Sequence, residues 1–488
     1  MHAPSTMSNQ RALRFVDIGL FAAFSLVLIH KALLDLDIGW DNLNYHLPFA
    51  AMRVGIFGDE FKFSGWLNGF YEGFPPLQNL ISGYLWKLTG FVNTANLLNV
   101  LIFCLFAVAL HCFAGIPLIL VAVAIAAIPT IHTQLAGGHV DNLSNIPFAL
   151  ALVATFIAAL RDRRDFISLY FVAIAGLAFA ANVRLQFVLL SCLAFLPISL
   201  FFWIKYVRHA HRRGKIYFAF IFVLGAIALA WLPLRNSILF QNPLYPILLD
   251  IYGWHLPGNI TSASYTSPNY LAGSPNWLKW FVSVSEYNAF GLRPSLYTIG
   301  QGDVPENAMS FRMGGYLFVY VFVSLVLFGY LAWRQPRPLA YWLLAAALAL
   351  TLAVAVIPSS YELRYFSFWM LALVSCVLCM LWADTDLRQL RFAYASVCIG
   401  ALWFVASGTG YNTFVTHGYD LSWVMKEVKF DQTVAPQIHP NETYCVLGFG
   451  KYVLAVAPRF HPELGPYKVF IAQDQRECGT RPILTPQG

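Results

Sequence analysis

The chain has 488 residues, 58% of them hydrophobic and only 11% charged, with a mean hydropathy of +0.61. A soluble domain carries about 25% charged residues, so this composition excludes an ordinary water-soluble globule and makes lipid the main solvent. The formal net charge of +7 sits largely in short basic loops between apolar runs, which ties it to membrane orientation and argues against a nucleic-acid partner.

In chain order, runs long enough to cross about 30 Å of hydrocarbon as helices fall at approximately 15–34, 93–113, 116–132, 143–160, 166–183, 186–204, 216–234, 314–333, 338–357, 365–383 and 391–409. The expected fold is therefore an all-α polytopic membrane protein with about 11 transmembrane helices. The first run lacks a small-residue cleavage site and reads as an anchor rather than a signal peptide. Arg11 and Arg14 set the N-terminus in the cytoplasm. The basic stretches Arg161–Asp165, Lys205–Lys215, Arg334–Arg337 and Asp384–Arg391 then all fall on that same side, as the positive-inside rule requires. Residues 75–90 are apolar enough to suggest a further span, but counting it would put every basic cluster outside. They read instead as an amphipathic helix at the interface, with Trp86 and Lys87 at headgroup level.

This topology divides the chain into a transmembrane catalytic domain, 1–409, and a small non-cytoplasmic tail, 410–488. The domain carries two large outer segments, a first loop at 36–92 with interfacial helices and a long loop at 235–313. In the tail, Glu442–Phe449 and Tyr467–Ala472 are strand-prone, yet so short a segment has little core of its own. Six of the eight cysteines lie inside apolar runs, where a thiol is a small buried hydrophobe. Cys445 and Cys478 do not, and an oxidising outer compartment predicts that they are bridged.

Polar groups with chemical potential collect at the outer ends of the spans. Asp41-Asn42-Leu43-Asn44-Tyr45-His46 follows the first span, and the spacing returns Tyr45 and His46 to the face of Asp41 on a helix. A carboxylate, a phenol and an imidazole make an acid/base and phosphate-binding set, and Asp59-Glu60 adds an acidic pair further along the loop. Asp141 follows Gly137-Gly138-His139-Val140 and opens the next helix, where it could equally serve as an N-cap. Arg235-Asn236 ends the seventh span, and Glu362-Leu363-Arg364-Tyr365-Phe366 precedes the tenth. Either arginine alone could snorkel to headgroups. A guanidinium fork also matches a pair of phosphate oxygens, and carboxylates and arginines from four separate segments on one face suggest a site.

The order Asp41-x-x-x-Tyr45, Pro75-Pro76-Leu77, Asp141 and Arg364-Tyr365-Phe366 resembles the membrane-embedded GT-C glycosyltransferases that use polyprenyl-phosphate sugars, the group holding protein O-mannosyltransferases and lipid A aminoarabinose transferases. The resemblance covers roughly residues 15 to 410. Asn42 stands where a Glu often follows the first Asp, and Glu72-Gly73-Phe74 precedes the double proline. The resemblance implies transfer of a hexosyl or pentosyl group, with inversion, from a polyprenyl-phosphate donor to a glycolipid, glycan or protein acceptor. The setting it implies is the non-cytoplasmic face of a bacterial-type inner membrane, with the C-terminus periplasmic. It fixes no cofactor, and leaves room for a divalent metal. Asp41 would act as general base and Asp141 as its orienting or acceptor-binding partner. Tyr45, His46, Asp59, Glu60, Arg235, Asn236, Glu362 and Arg364 would bind substrate, with Arg235, Arg364 and His46 on the phosphate. The competing reading is a transporter or flippase for a lipid-linked saccharide. Such proteins place ionisable groups at midplane on repeated, broken helices; here Asp17 and His111 are nearly all the spans contain, and no repeat is visible.

Overall fold

The computed structural model describes residues 5–484 apart from 161–164, 252, 261–270, 272, 286, 289–290, 293–314, 409–412, 448–451 and 473–474. The Arg161–Arg164 loop, parts of the long loop and the expected boundary at 409/410 thus lie outside the described residues. The elements run α1 (Ser5–Leu34), α2 (Leu47–Arg53), β1 (Phe61–Phe63), α3 (Gly65–Gly73), α4 (Leu77–Thr89), α5 (Leu97–Ala114), α6 (Leu118–Ala126), α7 (Pro129–His132), α8 (Val140–Leu160), α9 (Phe166–Val183), α10 (Leu185–Lys205) and α11 (Arg212–Phe240). They continue with β2 (Leu249–Ile251), β3 (Trp254–Leu256), α12 (Asn276–Val284), β4 (Tyr287–Asn288), β5 (Gly291–Leu292), α13 (Phe318–Trp333), α14 (Arg337–Val356), α15 (Phe368–Ala383), α16 (Arg388–Gly408) and α17 (Leu421–Glu427). The last are β6 (Thr443–Leu447), α18 (Tyr452–Ala455), β7 (Lys468–Ala472), α19 (Gln475–Cys478) and β8 (Ile483–Leu484).

The protein is an all-α polytopic membrane protein. Among the described residues, 8 helical segments are long and apolar enough to cross a membrane, and Phe318–Trp333 and Phe368–Ala383 are shorter apolar helices. The expected third span, 116–132, is divided. α6 has 9 residues, about 14 Å at 1.5 Å per residue, and Ile128 turns extended before Pro129 restarts the chain as α7. Proline cannot donate the hydrogen bond that would have continued the helix. α5, α8 and α15 form the interior of the bundle, and from Phe368 to Leu381 nearly every residue is buried. α8 and α9 approach closely because Gly176 has no side chain; a Cβ there would lie 2.4 Å from the Pro147 carbonyl oxygen.

The tail forms a four-stranded parallel sheet in the order β1-β7-β6-β8. Its edge strand comes from the first loop, with Phe61 opposite Val469 and Phe63 opposite Ile471. β6 and β7 lie within the two strand-prone stretches read from the sequence. Phe49, Phe61, Phe63 and Trp86 share one core with Tyr444, Val446, Val469 and Ile471, so the tail obtains from the first loop the apolar surface it lacks. Trp86, expected at the headgroups, is instead 5% exposed, stacked on Phe460 of the tail. Lys87 donates to the Val54 carbonyl at 2.5 Å. Trp86 is thus claimed by the core that the tail shares with the first loop, while the Lys87 side chain stays exposed. Cys445 and Cys478 are joined in a disulfide that ties β6 to α19, and the other six cysteines belong to no disulfide.

Candidate functional site

After α1, a π-helical turn from Asn42 to His46 runs directly into α2. The π-turn closes its hydrogen bonds between residues five apart, and His46 lies within electrostatic range of Asp41. Asn42 and Asn44 hold the turn by donating to the Asp37 and Trp40 carbonyls at 2.7 Å each. Tyr45 and His46 are stacked obliquely, ring centroids 4.3 Å apart. α8 begins at Val140, so Asp141 lies in its first turn with 3% exposure. Its carboxylate is turned away from a capping position, toward Arg184, which pairs with it, and toward Gln134, which donates at 3.1 Å. Between α14 and α15, a short 3-10 turn (Leu363–Phe366) delivers Arg364.

Arg364 joins these segments. Its Nη1 lies 3.6 Å from Asp41 Oδ2 and 3.9 Å from Asp141 Oδ2. Nη2 donates to the Tyr365 hydroxyl at 2.9 Å. The Asn145 amide donates to the carbonyls of both Arg364, at 3.0 Å, and Asp141, at 2.8 Å. The Tyr365 ring has Arg184 over it at 4.2 Å and Arg364 at 4.7 Å, so one aromatic surface positions two cations.

These charges settle the ionisation states. Burial alone would raise the Asp41 carboxyl, but the Arg364 guanidinium, with a smaller contribution from Arg184, outweighs it and holds Asp41 below the ordinary carboxylate value. Burial pushes His46 down to about 3 in spite of Asp41, so its imidazole is neutral. Burial, reinforced by Asp41, keeps Tyr45 a neutral phenol well above its usual range. Burial opposes the charge of Arg364, yet Tyr365, Asp41 and Glu362 more than offset it and raise its pKa. The result is one ionised carboxylate, about a quarter exposed, beside a fixed guanidinium.

The structure thus brings Asp41, Tyr45, His46, Asp141, Glu362 and Arg364 together. It places Asp59 and Glu60 elsewhere, at the turn into β1, where Glu60 accepts from Gly58 N at 2.9 Å and its carbonyl from Val469 N at 2.7 Å. Arg235 and Asn236 fasten α11 to the first loop. Arg235 Nη1 donates to the Glu72 carbonyl at 2.6 Å, and the Asn236 amide to the Gly73 carbonyl at 3.0 Å and the Tyr245 carbonyl at 3.1 Å. Arg53 lies within electrostatic range of Arg235, which adds to burial in pushing the Arg53 pKa down. Arg53 packs over the Tyr71 ring at 4.5 Å. An apolar groove of about 480 Å³, lined by Pro76, Leu77, Leu80, Phe179 and Trp231, opens between α4, α9 and α11.

Sequence reasoning missed Arg184 and Arg53. Arg184 was detectable as a cation in a short outer loop, against the positive-inside trend, but it reads as the flank of a span because almost no loop separates α9 from α10. No group of three or more His, Cys, Asp or Glu that could hold a metal ion occurs among the described residues. Asp41 and Asp141 are also already faced by arginines. No step below passes through a metal ion.

No protein-family model matches the chain, nor does any curated protein. Solved structures do resemble it. The arabinofuranosyltransferase AftD from Mycobacteria superposes with a TM-score of 0.50 at 15% identity, over 94% of this chain and 32% of that one. This chain thus spans about a third of that protein's length. ArnT from Cupriavidus metallidurans bound to undecaprenyl phosphate gives 0.48 at 13%, over 96% and 89%. The oligosaccharyltransferase AglB from Archaeoglobus fulgidus gives 0.42 at 13%, over 93% and 64%.

Proposed function

The chain is built on the GT-C fold, and from that premise we propose that it is a membrane glycosyltransferase. It moves a sugar from a polyprenyl-phosphate donor to a glycolipid, glycan or protein of the cell envelope, on the non-cytoplasmic face of a bacterial-type inner membrane and with inversion. The observation that carries this reading is the ionised, partly open Asp41 carboxylate 3.6 Å from the Arg364 guanidinium. Asp41 takes the proton of an acceptor hydroxyl as that oxygen attacks C1 of the donor sugar. The bond from C1 to the phosphate oxygen breaks, and the phosphate leaves with the electron pair. Arg364, already held by Tyr365, meets the charge that develops there and so binds the transition state more tightly than the ground state. A phosphate that engages Arg364 also draws its charge away from Asp41, which is still desolvated and becomes a stronger base. Donor binding thereby arms the acceptor's base.

Asp141, fixed by Arg184 and Gln134, orients the acceptor from α8. Tyr45 and His46 are neutral, and suit hydrogen bonds to sugar or phosphate oxygens. The groove beside Pro76 and Trp231 supports a site for the prenyl chain. Arg53 and Arg235, at the same end of α11, support a second contact to its phosphate. The rival transporter reading needs ionisable groups free to serve a pathway. Asp17 instead accepts from Leu118 N at 2.9 Å and Ile119 N at 3.0 Å, and His111 is bound to the Ile116 carbonyl at 2.8 Å.

Asp41→Asn keeps the shape and removes the proton acceptor, so transfer should fall about 10²–10⁴-fold with normal membrane insertion. Mass analysis of envelope glycolipids and polysaccharide from cells carrying wild type, variant or no copy measures this. Wild-type modification in the variant would exclude Asp41 as the base, and no difference between wild-type and deleted cells would exclude the reaction.

A further inference from the structure

Helix α12, in the long loop between α11 and α13, has no part in that mechanism. Of its residues only Asn276, Lys279 and Ser283 are polar, and their spacing puts all three on one face. In a helix bathed by water that face would look outward. Here it looks inward. The Asn276 amide donates to the Val356 carbonyl at 3.3 Å, and Ser283 Oγ to the Tyr361 carbonyl at 2.7 Å. The Lys279 ammonium lies 5.7 Å from the centroid of the Tyr361 ring. Leu278 and Val282 share a small core with Leu271 and Tyr361, and Trp280 meets Trp369 of α15 edge-on, centroids 5.3 Å apart. The face left outside is aromatic: Trp277 and Phe281, four residues apart, are 54% and 59% exposed.

The place of α12 in the fold says what covers that face. Val356 is the last residue of α14, a helix long and apolar enough to cross the membrane. Leu348, Leu352 and Val356 form an exposed stripe along it, the surface that a crossing helix turns to lipid. α12 is fastened where this stripe reaches the end of its helix, at the end of the bundle that carries the site. A tryptophan suits the boundary there, with its ring among acyl chains and its N–H among headgroups. We propose that the Trp277–Phe281 face is seated in the headgroup layer of the leaflet on the site's side, and that phospholipid thereby holds the helix that supports the Arg364 turn. Tyr361, which α12 grips, stands three residues before Arg364, so the membrane surface sets the level at which that guanidinium meets a lipid-borne phosphate. The effect on transfer rests on the reaction assigned above; the seating does not.

Spin-label relaxation on the full chain in phospholipid nanodiscs tests the seating without substrate. The six cysteines outside the disulfide are replaced by alanine, and single labels enter through Trp277→Cys or Phe281→Cys. Leu352→Cys gives the lipid reference and Lys426→Cys, on the exposed side of α17, the aqueous one. Labels at 277 and 281 should lose access to a water-soluble nickel chelate relative to 426 and gain access to oxygen, which concentrates in lipid. Nickel access at both positions equal to that at 426 overturns the proposal. So does exclusion of both relaxants with spin–spin broadening, the mark of a second copy on this face. In membrane vesicles, transfer from the endogenous lipid-linked sugar pool should fall in Trp277→Ser/Phe281→Ser and persist in the exchanged pair Trp277→Phe/Phe281→Trp, because lipid accepts the rings in either order and a shaped protein pocket does not. Full transfer in the serine variant, or loss in the exchanged pair, overturns the support of Arg364 by lipid. If wild-type vesicles transfer nothing, the reaction assigned above fails, and the relaxation data still decide where α12 lies.

Discussion

At the scale of single residues, the contest between burial and Arg364 at Asp41 yields a signed prediction. Arg364 holds the Asp41 carboxyl low while burial pushes it up. Removing the largest opposing charge leaves burial less opposed, so the Asp41 pKa rises and the ionised base is lost at a higher pH. Arg364→Ala should thus move the acid limb of the transfer–pH profile upward and weaken donor use more than acceptor use. Arg364→Lys should restore the limb but only part of the donor dependence, because a point charge cannot reproduce the fork. A profile and donor dependence unchanged in both variants would make Arg364 a snorkelling residue. Arg184 has a different weight. Asp141 is 3% exposed, and taking one partner from a buried ion pair costs about 3–5 kcal/mol. Arg184→Gln should therefore lower thermal stability as well as activity, with Arg184→Lys intermediate, as a melting curve in detergent will report. Of the site, the sequence disclosed the groups whose polarity contrasts with an apolar run beside them: Asp41, Asp141, Glu362 and Arg364. Contrast cannot separate a reacting group from one that serves the scaffold. Asp59 and Glu60 were grouped with the site, although they lie at the turn into β1, where Glu60 takes part in the strand entry, and Arg184 was passed over in a loop too short to show.

At the scale of elements, the apolar helices were legible because a bilayer imposes their length and composition. The break between α6 and α7 needed only Pro129 to be given its full effect. β1 was not legible. Phe61-Lys62-Phe63 is too short to show an alternation, and its partner Val469-Phe470-Ile471 is remote in sequence, so no local pattern joins them. The tail strands were readable, and so was the disulfide, since Cys445 and Cys478 alone stood outside apolar runs. The bridge spans 33 residues, and closing a loop of that size contributes about 3–4 kcal/mol in the chain-entropy model. Cys445→Ser should therefore leave the helical bundle intact while making the 443–484 segment sensitive to protease. Equal resistance in wild type and variant would mean that the shared core with the first loop holds the tail unaided.

At the scale of the whole molecule, everything chemical stands at one end of the bundle. Asp35, just past α1, accepts from His417 N at 2.8 Å and Gly418 N at 2.7 Å, and from Lys31 at 2.5 Å, which pins the last segment beside the first loop. That arrangement predicts that the C-terminus and the site lie on the same side of the membrane, opposite the N-terminus. Impermeant thiol labelling of single cysteines placed at residues 3 and 480 in intact cells measures this, and a cytoplasmic signal from position 480 would break the topology. The strand from the first loop has a further consequence, in the order of events during synthesis. Phe61–Phe63 leaves the ribosome early and has no partner until β7 follows, about 400 residues later, which at 5–20 residues per second is roughly 20–80 s. Through that interval the loop bearing Asp41 waits at the membrane with one edge unpaired. Only the arrival of the final segment closes it, so a nascent or prematurely terminated chain holds every acidic group and arginine of the site without the sheet that seats their loop.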